Sequence, residues 1–158
     1  MSSKKSLGLV QLDERTVEHD FTMLERFHDF SAELLRIALL GISAIGFGAS
    51  KVLFPDSNGV PTHISSSAKM FLAGALIAFS ISAATALLHR YSSANSMSWH
   101  IQAMRRYAHG DPAQVETADS EAQARFRNFK LSQRALAASS WSLAIGAFSL
   151  AIAVWFSI

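Results

Sequence analysis

Apolar positions in this chain gather into three runs, Leu34 to Phe54, Met70 to Leu88 and Ala135 to Ile158. Each run is nearly free of charge over the roughly twenty residues that a helix needs to cross the hydrocarbon core of a bilayer. The pattern predicts an all-α integral membrane protein with three transmembrane helices. It divides the chain into a cytoplasmic amphipathic helix (1–33), a first span (34–54), an extracytoplasmic loop (55–69), a second span (70–90), a cytoplasmic helical hairpin (91–134) and a third span (135–158).

Between the spans the periodicity stays helical. At 100° per residue, Glu14, Glu18, Glu25 and Asp29 share one face, and Val17, Phe21, Met23, Leu24, Phe27 and Phe30 cover the other. Neither Pro nor Gly interrupts Leu9 to Leu40, so this amphipathic helix is expected to run straight into the first span. Its apolar face either packs on the protein's own helices or lies flat in the headgroup layer; an acidic outer face disfavours the flat pose, because surface-binding helices carry Lys and Arg there. After the second span Ala94, Met97, Ile101, Met104 and Ala108 recur at helical spacing until His109-Gly110-Asp111-Pro112 stops them. Asp is a good N-cap and Pro suits the first helical position, so a new helix starts there, its stripe continuing through Val115, Ala118, Ala122, Phe126 and Phe129. Together with the N-terminal helix this hairpin makes a small cytoplasmic three-helix stalk. Outside, Pro55-Asp56-Ser57-Asn58-Gly59 reads as a turn and Ser65 to Ser67 as caps for the second span.

Charge orients the layout. Among the 14 Lys and Arg, Lys4, Lys5, Arg15, Arg26 and Arg36 precede or enter the first span, and Arg90, Arg105, Arg106, Arg125, Arg127, Lys130 and Arg134 fill the second loop. Basic residues stay on the cytoplasmic side, so the expected topology is N-terminus inside and C-terminus outside. Lipid is thus an expected partner, and nucleic acid is not, since Glu116, Asp119 and Glu121 interleave with the arginines. The absence of cysteine removes disulfides and thiolate chemistry. Asp13 to Asp29 is charged where a cleavable leader would be apolar, so the first span reads as an uncleaved anchor.

Small residues supply the interaction signal. Gly74, Ala78, Ser82 and Ala86 recur every fourth position on the second span, Ala138, Ser142 and Gly146 on the third, and Ala44 with Gly48 on the first. Such faces let helix backbones approach closely in lipid, where no hydrophobic force drives helices together. They serve packing within one chain or association between chains. Asp20 falls inside the apolar face of the N-terminal helix with His28 at its edge, and a carboxylate buried there needs a partner; Arg105 or Arg106 on the hairpin is the expected structural charge contact, with His100 a further candidate. Among the histidines only His89 approaches the bilayer, and His19 and His28 occupy opposite faces of their helix, so no metal or haem is expected.

No nucleophile–base pair or ligand cluster emerges, and the expected function is non-enzymatic: a bacterial-type inner-membrane, multi-pass protein acting through transmembrane helix association, as a homo-oligomer or as an accessory subunit of a larger complex. The alternative is a homo-oligomeric ion-conducting pore or membrane effector gated through its cytoplasmic helices. In outline the layout resembles the small effector membrane domains of bacterial defence systems, a likeness of arrangement carried by no shared motif.

Overall fold

A computed structural model describes the backbone of residues 14–53, 65–109 and 112–156, and the side chains of 22–48, 65–107 and 114–156. The described residues form three helices, α1 (Glu14–Leu53), α2 (Ser66–His109) and α3 (Pro112–Trp155). Their 40, 44 and 44 residues correspond to roughly 60 to 66 Å of helix at 1.5 Å per residue, about twice the hydrocarbon thickness of a bilayer. Each contains a stretch long and apolar enough to span a membrane. α1 runs unbroken from the amphipathic segment into the first apolar run. The Ser65 hydroxyl accepts the Ala68 N–H at 3.1 Å and so caps α2. α2 ends at His109 and α3 starts at Pro112, where the sequence breaks its own pattern.

The helices lie antiparallel in chain order. On α2, Ala68, Ala75, Ser82, His89, Ser96 and Ala103 are buried, one at every seventh residue. On α3 the matching series is Ala118, Arg125, Ser132, Ser139, Gly146 and Ala153, all buried except the half-buried Arg125. The contacts run in register: Ser82 meets Ser139, His89 meets Ser132 and Ser96 meets Arg125. Each step of seven up one helix is matched by a step of seven down the other, the recurrence that keeps one seam of a left-handed pair in contact. α1 packs mainly against α2, touching α3 far less. Its own buried series, Ser31, Ala38 and Ile45, repeats the same spacing.

The seam is small and partly polar, whereas the large apolar side chains point outward. Leu40 and Phe47 are each 68% exposed, Trp141 72% and Phe148 69%. A water-soluble bundle buries such residues; here the outside is the apolar solvent-matching surface and the inside the close-contact surface, as expected of helices in lipid.

One large ring crosses the small core. Phe79 is buried together with Ala75 and Ile45, and a Cβ built on Gly41 of α1 would stand 2.6–2.8 Å from one edge of its ring. A Cβ on Gly146 of α3 would stand 3.0–3.2 Å from the other edge. Phe79 therefore keys all three helices together through two glycines.

The apolar stripes read from the hairpin sequence are displaced in the structure. Ala94 and Phe126 are exposed, while Ser92, Ser93, Ser96 and Glu121 are buried. Closely approaching helices select for size before polarity, and a serine hydroxyl can satisfy itself on a carbonyl of its own or the facing helix.

Candidate functional site

Three polar clusters sit along the seam. At the centre, Ser82 donates to the Ser139 carbonyl at 2.9 Å and Ser139 donates to the Ser82 carbonyl at 2.9 Å, their hydroxyl oxygens 3.1 Å apart. Both residues are fully buried, so this reciprocal pair locks the register of α2 against α3. Three further span hydroxyls turn back on their own helix: Ser80 to the Leu76 carbonyl, Thr85 to Ile81 and Ser140 to Leu136.

The second cluster is built where α1 joins the hairpin. His89 is 3% exposed, with its Nδ1 3.0 Å from the Ser132 carbonyl oxygen and 2.8 Å from the Ser132 hydroxyl. A carbonyl only accepts, so Nδ1 carries a proton, and in that tautomer of the imidazole Nε2 is the lone-pair nitrogen. That Nε2 is buried and has no hydrogen-bond partner. On α1, His28 Nε2 lies 2.7 Å from the Ser93 hydroxyl; Ser93 already donates to the Arg90 carbonyl at 3.0 Å, so His28 is the donor. The His28 and Phe27 rings meet His89 edge-on, with centroids 6.4 and 6.3 Å away.

Beside this cluster the three helices leave a cavity of about 140 Å³. His89, Ser93, Ser96 and Ser132 supply its polar floor, and Met23, Phe27, Met97, Phe129 and Leu136 its apolar walls. The Ser96 hydroxyl donates to the Arg125 carbonyl at 3.2 Å, so its oxygen is left to accept, as the Ser93 oxygen does from His28.

The third cluster lies near the α2–α3 turn. Arg106 Nε donates to Glu121 Oε1 at 2.8 Å and its Nη1 to Gln114 Oε1 at 3.5 Å. The Glu121 side chain is 6% exposed, and its second oxygen is buried without a partner. Tyr107 donates to Asp119 at 2.6 Å alongside.

The residues singled out from sequence fall into two groups. Ala78, Ser82, Ala86 and Gly146 are buried within the bundle and Ser142 is half-buried, whereas Ala44, Gly48, Gly74 and Ala138 face outward. A Cβ on Gly46, Gly48 or Gly74 would meet nothing within 4 Å. Of the expected charge contact, the Asp20 side chain lies outside the described residues; His28 bonds Ser93, Arg106 bonds Glu121, and Arg105 is exposed. Four-residue spacing misses the floor serines and the His89–Ser132 contact; the seven-residue recurrences of α2 and α3 carry the signal for His89, Ser96 and Ser132, and Ser93 falls outside them. Among the described residues no group of three or more His, Cys, Asp or Glu is placed to hold a metal.

Compared with known proteins, the chain matches no family model, no curated protein and no solved structure.

Proposed function

We propose that this chain is a non-enzymatic, multi-pass protein of a bacterial-type inner membrane that acts by helix association, assembling with copies of itself or joining a larger membrane complex. The observation that carries the reading is the division of the small-residue faces: the bundle interior consumes Ala78, Ser82, Ala86 and Gly146, and Ala44, Gly48 and Gly74 stay open on a surface otherwise lined by large apolar side chains. Small residues on a lipid-facing surface permit a second backbone to approach, and interhelical van der Waals contact is what association in lipid draws on. In this reading the N-terminus and the α2–α3 turn are cytoplasmic, where the Arg-rich ends of α2 and α3 meet the positive-inside rule, and the ends of α1–α3 beyond the hydrocarbon core form the stalk. The pore alternative draws less support, because Ser80, Ser82, Thr85, Ser139 and Ser140 spend their hydroxyl protons on carbonyls.

The test is mass in lipid nanodiscs. Wild-type chain should form a defined oligomer, and Gly48→Leu combined with Gly74→Leu should shift it towards monomer while leaving helical content unchanged. A wild-type chain that is monomeric alone but enters a larger complex in its native membrane selects the accessory-subunit form. An assembly that ignores both leucines, in either setting, removes the open glycines from the argument.

A further inference from the structure

We propose that the cavity between the three helices binds an uncharged amphiphile through a hydroxyl head group, such as the glycerol end of a monoacylglycerol. This goes beyond association and stands on the cavity itself. Three of its polar side chains have their own protons committed: Ser93 donates to Arg90, Ser96 to Arg125, and His89 to Ser132. The unmatched atom is His89 Nε2, a buried lone pair in a residue that lines the cavity. A buried acceptor left without a donor is costly, and a hydroxyl is the neutral group that supplies one.

Charge and shape narrow the class. The Arg125 and Gln133 side chains also line the space: a cationic head would enter beside that arginine, and an anionic head, though drawn to it, would set lone pairs against the His89 and serine acceptors. The Met23, Phe27, Met97, Phe129 and Leu136 walls have no polar group to offer, and they suit the first methylenes of an acyl chain. Phe129 is 40% exposed on the hairpin just before the third span, so a chain seated on the floor has a route out at the proposed membrane border. The volume of about 140 Å³ far exceeds what one buried water occupies.

The experiment is binding to the full-length chain in detergent, read by native mass spectrometry and by thermal melting. The probes are monooleoylglycerol, methyl oleate, oleate and glycerol. Monooleoylglycerol should bind one per chain, about tenfold tighter than methyl oleate, which accepts but cannot donate; one buried hydrogen bond corresponds to about that factor. His89→Leu should erase the difference between the two. Met97→Trp, which fills the wall without touching the His89–Ser132 contact, should abolish binding of both and covers the case in which His89→Leu does not fold. Equal binding of monooleoylglycerol and methyl oleate to wild type overturns the head-group assignment, tightest binding by oleate replaces it with an anion site, and competition by glycerol alone makes the ligand a soluble polyol. Binding that survives both substitutions places the ligand elsewhere and ends the proposal.

Discussion

Phe79 occupies space that only two missing side chains leave open. Its ring edges face Gly41 and Gly146, so neither helix can yield by pushing the ring towards the other. Gly41→Ala should therefore destabilise the bundle by about 1 to 3 kcal/mol, the usual cost of overpacking, despite the better helix propensity of alanine. Gly46→Ala and Gly74→Ala meet open space and should be neutral or stabilising by up to about 1 kcal/mol. Thermal melting of the three variants in one detergent checks the contrast; equal effects would mean that the ring is free to move. A second residue-scale prediction concerns Ser82. Ser82→Ala removes one interhelical hydrogen bond and should cost roughly 0.6 to 1.7 kcal/mol, whereas Ser82→Leu forces bulk into a fully buried contact and should exceed it and alter the assembly.

At the scale of the element, the α2–α3 hairpin is closed near its turn by Arg106 and Glu121. Arg106 is 38% exposed, so its charge is partly screened, but Glu121 is buried. Removing the arginine strands a carboxylate in a place that disfavours its charge. Arg106→Ala should lower stability by about 1 to 3 kcal/mol, and Glu121→Gln added to it should recover most of the loss. Arg36→Ala, which breaks an exposed pair with Glu33, should stay within about 1 kcal/mol. Denaturation followed by a fluorophore near the turn separates these outcomes. The existence of three long apolar helices was legible because each span's signal is contiguous, and the break near Pro112 because proline and glycine act locally. The seam was not. Its residues are Ala, Ser, Gly, His and one Arg at intervals of seven, a spacing that a hydropathy pattern ignores because half of them are polar. The pairing of Phe79 with Gly41 and Gly146 joins residues far apart in the chain, and no local rule connects them.

On the scale of the whole molecule, the proposed topology makes a direct prediction. A reporter fused after Ile158 should be active only on the extracytoplasmic side, and one inserted between His109 and Pro112 only in the cytoplasm; reversal of both would refute the charge argument, and agreement on one side for both would refute three crossings. The bundle is also unequal in its bonds. α2 and α3 share a continuous seam, while α1 is tied by the Phe79 contact, the His28–Ser93 bond and the line of Ser31, Ala38 and Ile45. Hydrogen exchange should show α1 opening first, with the hairpin retaining protection until global unfolding.

The glycine sockets around Phe79 also set a schedule for synthesis. Gly41 leaves the ribosome first, the ring follows, and Gly146 arrives last, so α1 and α2 must wait with the ring held on one edge only. The core cannot be completed until α3 has been made through Gly146. A chain stopped after His109 should insert two helices yet be cleared rapidly by membrane quality control, and co-expressing 112–158 as a separate peptide should rescue it by delivering the missing socket in trans. Pulse-chase lifetimes of the fragment with and without the peptide, and with Gly146→Leu in the peptide as the control, measure whether late arrival of one glycine governs survival of everything made before it.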